Sequence, residues 1–210
     1  MIHILANGLR ERFGSTSKQL VPVWGVPVLR RTCLMLKELG EECIVFTSDQ
    51  WVRAVVQDVA MVLPGLDPPE GILQEEYEIV KNWSKDFINR LLYGDVVWER
   101  SALYAVCDCK KPMVFGNKKN HGGEGYAIVY PRTEVPVMLT CYKAAIDQVN
   151  QEGLKNSGWY MSRRWTGIDP LKVEYNDKMF ADLSGWTMDF DFPEDYEYFK
   201  KEVEPKHDGT

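Results

Sequence analysis

Residues 2–28, IHILANGLRERFGSTSKQLVPVWGVPV, constrain this chain more than any other stretch. A short apolar run at 2–6 has the length and make-up of a buried first strand. It empties into a polar loop opened by Asn7 and Gly8 and carrying Arg10, Arg12 and Lys18. The chain turns apolar again at 20–23, and a helix is expected to start near Pro27. A strand running into a glycine-containing basic loop sets exposed backbone N–H groups beside fixed cations. That combination suits an anion such as a phosphate.

The segments that follow repeat the alternation. Val28, Leu29, Cys33, Leu34, Leu36 and Leu39 recur at helical spacing, and Gly40 stops that helix. Residues 43–46 read as a second apolar strand. Thr47, Ser48 and Asp49 can cap a helix reaching Asp58, and 59–63 is a third strand. This strand–helix order argues for a parallel sheet with helices on its faces and right-handed crossovers. Further helices are expected over 72–83, 101–109, 133–151 and 193–203. Strands are expected over 90–98, 112–115 and 126–130 and within 173–183, with a glycine-rich loop at 116–125.

Composition narrows the class of protein. A chain of 210 residues has room for one domain with a real core. Its net charge of −6 argues against a broad nucleic-acid or membrane-binding surface, though not against a local basic pocket. The five cysteines are odd in number and scattered, which fits reduced thiols in a cytosolic protein. Cys107 and Cys109 lack the second pair that a tetrahedral metal site needs. No signal-peptide pattern opens the chain, and no apolar run reaches the length of a membrane span.

The opening stretch resembles that of the sugar nucleotidyltransferases and their NTP-transferase relatives. Their loop reads L-A-A-G-x-G-x-R-[FL], with P-K about ten residues on and then a V-x-G-x-P-[LM] turn. Here the corresponding residues are Leu5-Ala6-Asn7-Gly8-Leu9-Arg10-Glu11-Arg12-Phe13-Gly14, then Ser17-Lys18-Gln19-Leu20, then Val23-Trp24-Gly25-Val26-Pro27-Val28. Arg10 replaces the second glycine, and Ser17 replaces the proline before the lysine. Residues 91–97, LLYGDVV, resemble the family strand whose aspartate holds Mg2+. A Gly-Asp turn alone is a common hairpin signal. An aspartate between two strongly apolar flanks, however, is costly unless it is paired or metal-bound. Trp186-Thr187-Met188-Asp189-Phe190-Asp191-Phe192-Pro193-Glu194-Asp195-Tyr196 resembles the closing motif of the family, with Phe192 where threonine is common. Asp189 and Asp191 alternate along an extended segment and so face one side, where their repulsion calls for a cation, a proton or water.

The resemblance implies an α/β fold, a single Rossmann-like domain of the nucleotide-diphospho-sugar transferase type with a mixed, mainly parallel central sheet. It would span residues 1–204, with 205–210 a C-terminal tail. The implied activity is Mg2+-dependent nucleotidyl transfer from an NTP to a phosphorylated sugar or alcohol, with pyrophosphate released. Arg12 and Lys18 would brace the triphosphate, and the chain at Leu5, Ala6, Asn7 and Gly8 would lie against the nucleoside. Asp95 would hold the metal together with Asp189 or Asp191, Asp191 directly and Asp189 through water. No nucleic-acid or membrane partner is expected, and self-association is left open.

Several features stay outside that assignment. Arg10 is expected in solvent, and Glu194 and Asp195 in the first turn of a helix, where negative charge is favoured. His121 reads as a solvated loop histidine. The aromatic and arginine cluster at 158–167 reads as an acceptor-site loop, a subunit contact or a packing corner. Three alternatives remain. Asp189-Phe190-Asp191 resembles the D-x-D of a metal-dependent glycosyltransferase, although that motif normally lies mid-chain. A molybdopterin-type nucleotidyltransferase has a related first loop. A nucleotide-binding protein without activity would explain the departure at Arg10. The sequence names neither the base nor the acceptor.

Overall fold

In a computed structural model, which describes residues 1–7, 17–65, 71–118, 124–172, 174, 176–183 and 185–207, the first strand, β1 (Ile2–Leu5), is buried at all four positions. A 3-10 turn (Lys18–Leu20) leads into a hairpin of β2 (Pro22–Val23) and β3 (Val26–Pro27). Then follow α1 (Val28–Glu38), β4 (Cys43–Phe46), α2 (Gln50–Val56), β5 (Met61–Leu63), α3 (Gly71–Trp83) and β6 (Ile88–Tyr93). After these come β7 (Val96–Val97), α4 (Arg100–Asp108), β8 (Met113–Asn117), β9 (Glu124–Pro131), α5 (Val135–Glu152) and α6 (Trp159–Trp165). The chain closes with β10 (Phe180–Asp182), β11 (Met188–Asp189) and α7 (Pro193–Tyr198), which runs on into a π-helical turn (Phe199–Val203) and a 3-10 turn (Glu204–Lys206).

Seven strands form the central sheet in the order β10-β8-β9-β6-β1-β4-β5. Only β9 runs against its neighbours β6 and β8; the other pairs are parallel. The mixed, mainly parallel sheet expected from the sequence is therefore present. Alternation along the strands divides the core. Ile2, Ile4, Cys43 and Val45 meet Leu29, Leu36, Val52 and Leu103 from α1, α2 and α4 on one face. Leu5, Ile44 and Phe46 meet Leu73, Val80, Met138, Tyr142 and Met161 from α3, α5 and α6 on the other. A smaller third cluster, Val23, Val28, Val97, Met188, Phe190, Phe199 and Val203, joins the β2–β3 hairpin to the C-terminal segment. No helix among the described residues is long and apolar enough to cross a membrane.

Three local expectations change. The strand expected over 90–98 is two elements in different sheets, β6 in the central sheet and β7 paired antiparallel with β11. Gly94 is the break. Its N–H donates to Leu5 O at 2.8 Å, and a Cβ there would stand 2.8 Å from the same oxygen. The cluster at 158–167 contains a helix, α6, because Met161 and Trp165, four residues apart, bury the same face. The last α-helix stops at Tyr198, and the next turn is π-helical.

The turn of the opening motif is the β2–β3 hairpin. Trp24 and Gly25 both have positive φ, 47° and 75°, as a two-residue primed turn requires. A tryptophan tolerates that backbone because its ring is held on several sides. It packs edge-on against Trp186 and Phe199, and Arg31 lies 4.7 Å above it. Its Nε1 donates to the carbonyls of Glu204 and His207.

Candidate active site

Leu5 lies opposite both Phe46 and Tyr93, so β1, β4 and β6 end in line. The residues that follow, Asn7, Ser48, Asp49 and Asp95, therefore gather at the carboxyl edge of the sheet. Ligands bind at this edge in open α/β folds.

Lys18 reaches that edge from a tightly fixed turn. Leu20 N–H donates to Ser17 O at 2.9 Å, and Val21 N–H donates to Lys18 O at 3.1 Å. The Ser17 hydroxyl is bonded to the Asp49 carboxylate, whose other oxygen caps α2 by accepting from Trp51 N–H at 2.9 Å. Lys18 Nζ lies 2.7 Å from Asp95 Oδ2 and 3.0 Å from Asp191 Oδ1. Burial alone would lower the lysine pKa. The two carboxylates, Asp95 foremost, outweigh it and hold the ammonium above its ordinary value.

Asp191 arrives from the far end of the chain. Phe190, fully buried, anchors the segment in the third cluster beside Val97 and Phe199. β11 pairs with β7 directly after Asp95, so Asp189 sits opposite Val96. Asp195 lies in the first turn of α7, as expected, and accepts from Phe192 N–H at 2.7 Å. Of the residues singled out in the sequence, Lys18, Asp95 and Asp191 thus meet in space, with Asp189 two positions away.

The nucleoside-side residues are more committed to the fold than their motif suggests. Leu5 and Ala6 are buried. Ala6 N–H donates to Phe46 O at 2.9 Å, and Ala6 O accepts from Thr47 Oγ1 at 3.1 Å. Asn7 Oδ1 accepts from Ser48 N–H at 2.6 Å, while its Nδ2 donates to Glu75 Oε1 at 2.7 Å. Asn7 therefore ties the start of α2 to α3. Gly8, Arg10, Arg12 and His121 lie outside the described residues.

Among the described residues, no three His, Cys, Asp or Glu side chains converge as a metal cage. The Asp95–Asp191 pair nonetheless fits Mg2+. That ion takes one or two carboxylates and completes its shell with water and substrate phosphate, and these two carboxylates already share one positive charge.

Sequence reasoning missed the carboxyl beneath this edge. Glu76 on α3 is fully buried, and its Oε1 accepts from Tyr93 Oη at 2.7 Å, two residues before Asp95. Burial raises its pKa to about 7. Gly158 closes over the pair, since a Cβ there would come within 2.6 Å of both Glu76 Oε1 and Tyr93 Oη. The signal was available, because Leu73, Glu76 and Val80 share one helical stripe. Within the cluster at 158–167, Arg163 lies 5.1 Å from the centre of the Trp159 ring, and Arg164 donates to Gln148 Oε1 at 2.7 Å.

No protein-family profile matches the sequence, and no curated protein matches it. Solved structures match the fold along its length. One, described as a glucose-1-phosphate thymidylyltransferase from Bacillus anthracis, is 15% identical with a TM-score of 0.60, covering 93% of this chain and 92% of its own. An inositol-1-phosphate CTP transferase from T. maritima is 14% identical with a TM-score of 0.58, covering 95% and 94%. A nucleotidyl transferase from Methanothermobacter is 16% identical with a TM-score of 0.51, covering 69% and 82%. The architecture is thus the Rossmann-like α/β fold found in nucleotidyltransferases.

Proposed function

We propose that this chain is a nucleotidyltransferase that activates a phosphorylated sugar or alcohol with an NTP, giving a nucleotide-linked product and pyrophosphate. The observation that carries the reading is the meeting of Lys18, Asp95 and Asp191 at the carboxyl edge of a sheet with this fold. The structural neighbours, named for transfer to glucose 1-phosphate and inositol 1-phosphate, favour a phosphorylated acceptor.

The acceptor phosphate is its own nucleophile. Its second pKa is near ~6, so at neutral pH it needs no side-chain base. An acceptor oxygen bonds to the α-phosphorus as the bond to pyrophosphate breaks. What is left for the protein is positioning and charge neutralisation.

Lys18 sits on a fixed turn and supplies a positive charge to the triphosphate. Arg12 is assigned the same task from the sequence alone. Asp95 and Asp191 would hold Mg2+, and Asp189 is assigned a contact through one of its waters. Mg2+ held there withdraws charge from the phosphate oxygens. The buried chain at Leu5 and Ala6, with Asn7 after it, would form a wall for the nucleoside, and Gly8 is assigned to the same wall from the sequence alone. The free cysteines suit a reducing, cytoplasmic setting.

The test is pyrophosphate release with each of the four NTPs, Mg2+ and a panel of sugar 1-phosphates and alcohol phosphates. Release that requires one NTP and one acceptor class is expected. NTP binding by thermal shift without release from any pair would leave a nucleotide-binding protein. Release of nucleoside diphosphate from an NDP-sugar would make it a glycosyltransferase.

A further inference from the structure

Lys18 stands where the two carboxylates need a cation. Its side chain is 10% exposed, those of Asp95 and Asp191 18% and 27%, so water screens the group poorly. Carboxylates gathered in such a place repel unless positive charge lies between them. The ammonium supplies that charge through contacts of 2.7 and 3.0 Å.

The base of the side chain is anchored separately from its tip. The turn is held by main-chain hydrogen bonds and by the Ser17–Asp49 bond, and none of these uses the ammonium. Rotation of the Lys18 side chain would therefore take the ammonium off the carboxylates without breaking any bond that holds the turn. A divalent ion entering by itself would have to expel the ammonium and leave it poorly solvated and unpaired, which is unfavourable. An anion arriving with the ion removes that penalty by giving the ammonium a new partner.

We propose that Lys18 is a resident counter-ion that keeps free divalent cations off the Asp95–Asp191 pair, so that cation and nucleotide enter together while the ammonium passes to the triphosphate. The passage to a triphosphate rests on the nucleotidyltransferase reading; exclusion of the free cation does not. The consequence is a switch in cation affinity set by one side chain.

The experiment is Mn2+ binding to the full-length chain, followed by isothermal titration calorimetry and by the electron paramagnetic resonance of free Mn2+. Wild type is expected to bind Mn2+ alone weakly. Lys18→Met, which keeps the length and loses the charge, should bind Mn2+ alone at least about tenfold more tightly. Lys18→Arg should stay weak, and adding Asp95→Asn to Lys18→Met should remove the gain. A Lys18→Met protein that binds Mn2+ no better than wild type overturns the proposal.

Wild type alone also decides the matter should Lys18→Met fold poorly. Tight Mn2+ binding without nucleotide that Asp95→Asn abolishes would mean that the lysine excludes nothing. A non-hydrolysable NTP analogue should instead raise wild-type Mn2+ affinity beyond that of the analogue by itself. The two readings fail separately. A gain in Lys18→Met without pyrophosphate release in wild type removes the enzyme and keeps the counter-ion; normal release without the gain does the reverse.

Discussion

The hydroxyl of Ser17 is bonded to the carboxylate of Asp49, so the residue before Lys18 is tied to the N-terminus of α2. Ser17 replaces the proline expected at this place in the motif, and the geometry accounts for the exchange. Its φ of −67° is the value a proline ring imposes. Proline would hold this backbone through its ring, whereas serine holds it through a hydrogen bond to a carboxylate. Ser17→Ala has neither device and should lose about 1–3 kcal/mol in urea unfolding, with reduced turnover. Ser17→Pro should recover most of both. A proline variant worse than the alanine variant would show that φ is not what matters here.

Stability should respond to pH through two buried groups of opposite sign. Burial lowers the His3 imidazole from 6.5 to about 4, so its contribution is present above pH 6.5 and lost as pH falls through about 4. Burial raises the Glu76 carboxyl from 4.5 to about 7, so its contribution is present below pH 4.5 and lost as pH rises through about 7. Each swing is on the order of 3 kcal/mol, and the two oppose each other where they overlap. Denaturant titrations should therefore show little net slope in wild type between pH 4.5 and 6.5, with Glu76→Gln unmasking the decline towards acid and His3→Gln the decline towards neutrality. A variant whose slope between pH 4.5 and 6.5 stays that of wild type rules out its residue as a source.

The sheet was legible because its strands are short apolar runs separated by helices of recognisable periodicity, and the second strand, Cys43–Phe46, matches the expected run. The Lys18–Asp95–Asp191 meeting was legible only as three motifs that a family resemblance joined. Nothing local to any of them says that they touch. What brings Asp191 in is the packing of Phe190 and Phe199 against the hairpin valines, a contact between opposite ends of the chain. Asn7 was misleading in one respect. It reads as a loop residue open to ligand, yet its amide spans Ser48 and Glu75, and periodicity does not reveal such tertiary hydrogen bonds. Glu76 was passed over because a carboxylate on a helix is usually solvated.

Gly94→Ala should damage both stability and activity. The added Cβ would meet Leu5 O at 2.8 Å and Ala6 Cβ at 3.2 Å. Both belong to the buried first strand and its end, which cannot yield cheaply. Overpacking of this kind costs about 1–3 kcal/mol. Because Asp95 is the next residue, pyrophosphate release should fall by more than the loss of folded protein explains. Wild-type stability in the alanine variant would show that β1 and β6 can part at this point without cost.

The two carboxylates of the closing motif should separate in their response to substitution. Asp191 shares Lys18 with Asp95, and Asp189 sits two residues earlier in the ladder opposite Val96. If Asp95 and Asp191 hold Mg2+, Asp191→Asn should raise the Mg2+ concentration for half-maximal pyrophosphate release by about tenfold or more. Asp189→Asn should raise it less, and the double variant should be inactive. Stability supplies an independent reading. Relief of repulsion between two carboxylates would stabilise the metal-free protein, but Asp191 is paired with a largely buried lysine. Its amide should therefore cost about 1–3 kcal/mol without metal, a figure kept below that of a fully buried pair because the carboxylate is 27% exposed. A larger Mg2+ effect in Asp189→Asn would reverse the assignment of the two residues. A double variant that keeps the wild-type Mg2+ dependence would remove both from the metal site.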